Sequence, residues 1–136
     1  KRARRAGAGN IETRLIDSAK VIKRMENSAD RLLLDVPCSG LGVLKRNPDA
    51  KWKLSPEFID KVKGEQQKIL SEYSAMLKKD GVMVYSTCRI FPSENNKQVE
   101  KFISGNSDKF ELLKQETIFP SQGFDGFYMA AIKKKV

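Results

Sequence analysis

The runs RLLLDV at residues 31–36 and VMVYST at residues 82–87 are short, apolar and bounded by polar residues, and the segment between them decides what this chain can fold into. That segment carries a helix. Ser55 suits the cap position, Pro56 the first helical position, and Glu57 sets a carboxylate against the positive end of the helix dipole. Phe58, Ile59, Val62, Ile69, Leu70, Tyr73, Met76 and Leu77 then recur mostly at spacings of three and four, forming one apolar stripe over residues 56–78. Lys78 and Lys79 fall at its end, and Gly81 can supply the left-handed residue that closes a helix. Two strands joined through a helix are expected to be parallel neighbours with a right-handed crossover. The continuous apolar character of RLLLDV predicts burial on both faces, as in a parallel sheet.

The flanking segments extend this pattern. Gly7 and Gly9 end a basic helical stretch, KRARR, and NIETRLI alternates Ile11, Thr13 and Leu15 against mostly polar neighbours, which predicts a short strand ending at Asp17. A second helix is expected from near Ser93, with Glu94 in its first turn and Val99, Phe102 and Ile103 facing inward, and KFELLKQ and GFYMAAIKK read as two more strands. The order strand, strand, helix, strand, helix, strand, strand, without an internal repeat or a low-complexity linker, predicts one α/β domain over residues 1–136. GAG at residues 7–9 and GLG at residues 40–42 lack the strand–turn–helix context of a cofactor-cradling loop and are not read as one.

The chain has two cysteines, and each follows one of the two central strands: Cys38 after RLLLDV and Cys88 after VMVYST. Neighbouring parallel strands lie about 4.8 Å apart, so the loops at their carboxyl ends adjoin, and that edge of an α/β sheet is where ligands bind. Two thiols are therefore expected on one rim together with Asp35 and, if its strand is parallel too, Asp17. A free cysteine is commonly just a small buried hydrophobe, but two at adjacent strand ends beside an aspartate point to function. The sequence contains no histidine, which excludes Cys-His and Ser-His-Asp machinery within the chain. Two cysteines without histidine do not make an ordinary structural zinc site, so no metal is expected, and the spacing is not that of a C-x-x-C redox motif. A thiolate nucleophile remains, with its base elsewhere; a thiol redox couple and a basic RNA-binding module with inert cysteines stand as alternatives.

Charge indicates the partner. Lys and Arg outnumber Asp and Glu by 26 to 17, a net charge of +9, which favours nucleic acid or another anionic surface. No apolar run approaches the roughly 18 residues of a membrane span, so a cytoplasmic, reducing location with both cysteines as thiols is expected.

DVPCSGLGVLKRNPDAKW, VYSTCRIFPSEN and DGFYMAAI together resemble the Sun-type RNA cytosine carbon-5 methyltransferases, over about Asn10 to Lys133. The resemblance implies S-adenosylmethionine as methyl donor and RNA as substrate, ribosomal ahead of transfer RNA. It implies Cys88, of the Thr-Cys motif, as the nucleophile that adds to carbon 6 of cytosine, with Cys38, of the Pro-Cys motif, aiding product release and standing as the second candidate nucleophile. Asp35 would lie between cofactor and target base, Asp17 near the adenosine of the cofactor, Pro37 in the loop that presents Cys38, and Lys51 with Trp52 against RNA, although a lone tryptophan is at least as often core. Glu94 and Asn95 match the family's Glu-Asn pair, where the carboxylate can also serve only the helix dipole.

By the same resemblance the fold is a partial Rossmann-like class I methyltransferase sheet lacking its first two strands. The chain is then expected to be the C-terminal portion of the methyltransferase domain, inactive alone and a poor binder of the cofactor. RLLLDV would have an open edge that invites self-association or rearrangement of NIETRLI against it.

Overall fold

A computed structural model describes residues 1–136 and all of their side chains except that of Lys53. Strands β1 (Ala29–Asp35) and β2 (Leu77–Thr87) run parallel and adjacent, with Leu33 opposite Val84 and Asp35 opposite Ser86. Between them helix α3 (Pro56–Tyr73) starts as its sequence requires, Phe58 N–H donating to the Ser55 hydroxyl at 3.2 Å and Pro56 filling the first turn.

The helix ends earlier than its apolar stripe suggests. A tight turn, Ser74–Met76, follows Tyr73, and Leu77, Lys78 and Lys79 open β2 instead of closing α3. Tertiary partners account for the difference: Leu77 is fully buried, the carbonyls of Ala75 and Met76 accept from the N–H groups of Asn27 and Ser28, and Lys78 pairs with Asp30 at 3.0 Å. The left-handed residue is Asp80 (φ 61°) and not Gly81. Gly81 is needed for closeness, since a Cβ there would lie 2.9 Å from the Leu77 side chain.

Beyond a turn at Pro92–Glu94 comes α4 (Asn96–Ser104), then β3 (Phe110–Ile118) and β4 (Phe127–Lys134). The four-stranded sheet has the order β1-β2-β4-β3, with β4 antiparallel to both neighbours. Two short helices, α1 (Arg2–Arg5) and α2 (Ala19–Arg24), precede β1. The core joins Leu70 of α3 and Val99 and Phe102 of α4 to Leu34, Met83, Tyr85, Tyr128 and Ile132 of the sheet, and each such buried side chain contributes about 1.5–3 kcal/mol.

Two expectations fail here. NIETRLI is not a strand: residues 10–17 join no ladder, and Leu15 is 81% exposed. Period-two alternation needs a neighbouring strand, and among the described residues none lies beside this stretch; it is not rearranged against β1 either. RLLLDV is not buried on both faces, because Leu34 enters the core while Leu33 is 68% exposed. The helices cover one face of the sheet, so the period of two separates these neighbours. The outer edge of β1 is unpaired among the described residues.

Candidate functional site

The parallel register carries both cysteine loops off the same end of the sheet. Val36 N–H donates to Ser86 O at 3.2 Å, extending the ladder past β1, and the Cys38 and Cys88 sulfurs come to 2.7 Å from each other. Both thiols are free and half-buried. The Cys88 carbonyl accepts from Gly42 N–H at 3.0 Å, and Gly42 O accepts from Gly126 N–H at 2.8 Å. A Cβ at Gly42 would stand 2.5 Å from the Cys88 oxygen, so no side chain fits there. The second glycine of GLG is thus a backbone seat for the Cys88 loop, and Gly126, from the DGF segment, closes the stack behind it.

Beneath the sulfurs lies a buried polar network. Glu94 is fully enclosed; its carboxylate accepts from Ser39 N–H at 3.0 Å, the Ser39 hydroxyl at 2.8 Å and Gln66 Nε2 at 3.2 Å. Gln66 Nε2 also donates to Pro37 O at 2.9 Å. Arg89, 1% exposed, brings Nε to 2.9 Å from Glu94 Oε1 and sets its guanidinium 4.9 Å over the Phe91 ring. Buried charges are tolerated when they neutralise each other and are solvated by protein dipoles. Asn95 ties the strand end to this loop, accepting from the Thr87 hydroxyl at 2.7 Å and donating to Arg89 O at 3.0 Å.

The sulfur contact divides the acidity of the two thiols. Hydrogen bonding from the Cys88 thiol, helped by the N–H groups of Gly40 and Cys88, lowers Cys38 from the ordinary 9.0 to about 7 against the opposing effects of burial and the Glu94 charge. Cys88 is raised, first because it is the donor in that bond, then by burial and by the charges of Cys38 and Asp35. Either sulfur can be the donor in this contact, so the pair can hold one proton between them. A base and a protonated thiol in contact can pass that proton between them.

The other sequence candidates fall into separate places. Asp35 is exposed at the end of β1, close enough for its charge to raise Cys88. Asp17, though not on a strand, lines a cleft of about 390 Å³ with Ile22, Pro37, Ile69 and Tyr73, so Asp17 and Pro37 share one recess. Glu65, Lys68 and Glu72 line the same cleft, so its walls are mixed in character. Lys51 is exposed, its ammonium 4.8 Å from the centre of the Trp52 ring, and Trp52 is 79% exposed, so of its two readings core is excluded. A second cleft, of about 740 Å³, opens between Leu41–Arg46 and Pro120–Asp125, with Ile90 on its wall, Phe124 at its rim and an Arg46–Asp125 ion pair across it.

Sequence reasoning missed Ser39, Gln66 and Arg89, and left Glu94 between the family's Glu-Asn pair and a carboxylate serving only the helix dipole. The available signal was the polar residue at position 66 within the apolar stripe of α3, which is buried and aimed at Pro37 and Glu94. Among the described residues no group of His, Cys, Asp and Glu side chains is placed to hold a metal, and no helix is long and apolar enough to cross a membrane.

Comparison with known proteins agrees with this geometry. Residues 1–133 match the family described as 16S rRNA methyltransferase RsmB/F. The chain is 37% identical over 131 residues to a ribosomal RNA small subunit methyltransferase B of Pasteurella multocida, covering 87% of this chain and 29% of that protein. It therefore spans under a third of that relative's length. The crystal structure of PH0851 superposes with a TM-score of 0.90 at 27% identity, covering 97% of this chain and 33% of the other. NSun6 from Pyrococcus horikoshii, solved with SFG, gives a TM-score of 0.80 at 24% identity, covering 97% of this chain and 36% of that one, a likeness of fold.

Proposed function

The chain belongs to the 16S rRNA methyltransferase RsmB/F family, and we infer that it forms the cysteine-bearing part of an S-adenosylmethionine-dependent RNA cytosine carbon-5 methyltransferase. The observation that carries this reading is the 2.7 Å contact between the Cys38 and Cys88 sulfurs at the carboxyl rim of parallel strands. Carbon 5 of cytosine is a weak nucleophile, and addition of a thiolate at carbon 6 gives it carbanion character. S-adenosylmethionine supplies the methyl group that carbon 5 then takes.

In this scheme the Cys38 thiolate accepts the proton of Cys88, and Cys88 Sγ adds to carbon 6. After methylation a solvent base takes the proton on carbon 5, the electrons of that C–H bond restore the ring double bond, and the Cys88–carbon 6 bond breaks with its electrons leaving on Cys88 Sγ. Cys38, then a thiol in contact with the departing sulfur, returns the proton and regenerates the resting pair. Asp35 would orient base and methyl donor, Asp17 the adenosine portion, and Pro37 and Lys51 would contact RNA. The relatives, ribosomal RNA small subunit methyltransferases, favour ribosomal RNA over transfer RNA. A target base must leave its stack to reach the sulfurs, so an unpaired cytosine is expected.

RNA carrying 5-fluorocytosine tests the scheme in the full-length protein. Fluorine cannot depart as a proton, so with S-adenosylmethionine present a covalent adduct stable to denaturation is expected, lost in Cys88→Ala and kept in Cys38→Ala. Loss only in Cys38→Ala would exchange the roles. No adduct on any ribosomal or transfer RNA site would overturn the cysteine mechanism. The same sulfur contact favours one other reading, a thiol redox couple, which requires a disulfide that forms and breaks reversibly at a glutathione potential.

A further inference from the structure

Glu94 is a fully buried carboxylate that the scheme above leaves idle, and its bonds fall on both sides of the reacting pair. Oε2 takes the N–H of Ser39 at 3.0 Å and Oε1 its hydroxyl at 2.8 Å, while Gln66, which bridges to Oε2 at 3.2 Å, holds the carbonyl of Pro37. Pro37 and Ser39 flank Cys38, so the backbone is pinned before and after that sulfur. On the other loop Arg89, directly after Cys88, stands 2.9 Å from Glu94 Oε1. Its Nε and Nη1 are buried and find no hydrogen-bond acceptor in line, so charge attraction and the Phe91 ring hold the guanidinium.

We propose that Glu94 is a positioning residue for the cysteine pair: its buried carboxylate fastens Ser39 on one loop and Arg89 on the other, and so keeps the Cys38 and Cys88 sulfurs in contact. A carboxylate suits the task because it accepts on both oxygens and donates nothing, and three separate donors converge on it. Apolar side chains replacing the whole pair would serve the fold as well or better, since a buried ion pair seldom adds net stability, whereas losing Glu94 alone would strand Arg89. The groups facing the sulfurs are Asp35 from the end of β1, Arg89 from the Cys88 loop, Glu94 from its turn and Tyr85 from β2, whose hydroxyl donates to Glu94 O at 2.8 Å. Glu94 disfavours the thiolate by its charge and Arg89 favours it, so the pair leaves the sulfurs almost neutral surroundings while fixing their separation.

The inference rests on the sulfur pair being the reactive centre, and its test reads the pair independently of methyl transfer. In the full-length protein, iodoacetamide alkylation of Cys38 and of Cys88 is followed by mass spectrometry across pH 5–10, beside kcat and KM for RNA methylation. The expected wild-type profile is one thiol reacting with an inflection near 7 and one protected. Glu94→Gln keeps the size but loses the charge and an acceptor; both thiols should then titrate separately near the ordinary value of 9.0, with kcat down about 100-fold and KM for RNA little changed. If Glu94→Gln does not fold, Ser39→Ala, which removes only the hydroxyl arm, should shift the profile in the same direction by less. A wild-type profile retained in folded Glu94→Gln, or in Ser39→Ala when that is the only folded variant, overturns the proposal. A shifted profile in a protein that methylates no RNA supports the clamp and refutes the reaction proposed for the pair.

Discussion

Between Pro37 and Gly42 the chain is bonded at Pro37, Ser39, Gly40 and Gly42, whereas between Asn10 and Asp17 no backbone group among the described residues finds a protein partner. Both stretches pair apolar residues with polar ones, and both carry an aspartate or cysteine that sequence reasoning marked for function. What separates them is the neighbour. The rim has β2, α3 and the Pro92–Glu94 turn against it, and even Gly42 is chosen by contact with another backbone. Residues 10–17 are exposed. Local pattern specifies a conformation only where a partner surface is present to read it.

The contrast can be broken from the rim outward. Cys88→Ala should lower RNA methylation in the full-length protein by about 10⁴-fold or more while leaving the fold intact, measured by methyl incorporation and thermal unfolding. Gly42→Ala should cost about 1–3 kcal/mol in chemical denaturation, because the added Cβ meets the Cys88 and Gly126 carbonyls, and should slow the fluorocytosine adduct about 100-fold by displacing the nucleophile. A Gly42→Ala protein as stable and as reactive as wild type would show that the rim is no more tightly specified than residues 10–17.

Acidity sharpens the same comparison. Cys38 is held at about 7 when folded against an ordinary 9.0, so the stability it contributes is full above pH 9, shrinks as pH falls through that window and is gone below 7. The melting temperature of wild type should therefore gain on that of Cys38→Ser as pH rises from 7 to 9, while Asp17→Asn should show no such drift; above 9 the raised Cys88 reverses the trend. The smallest effect belongs to the unbonded stretch. Leu15→Ser should change stability by less than about 0.5 kcal/mol in the same denaturation assay, and a larger loss would mean that residues 10–17 find a partner in solution.

The meeting of the two cysteines was legible because it needs only a parallel crossover and short loops leaving the same end of two adjacent strands. The start of α3 was legible as well, since Ser55 and Pro56 act within one turn of themselves. The end of α3 was not: Leu77 fits the helical stripe, but its burial beside β1 and the Asn27 and Ser28 bonds to Ala75 and Met76 draw the chain into a strand, and those partners are about 50 residues away. Trp52, open in the sequence between RNA contact and core, and Glu94, open between a motif role and the helix dipole, were settled by packing, which put the ring outside and the carboxylate within.

The Gly42–Cys88–Gly126 stack has a consequence in time. Three backbone segments from the beginning, middle and end of the chain must close on one another before the Cys88 loop has its seat, and contacts so distant in sequence are slow to form. During synthesis β1, α3 and β2 can all emerge and pair while the sulfur that follows β2 still lacks its final support. Gly126 lies directly before β4, so the seat is complete only once β4 has joined the sheet between β2 and β3.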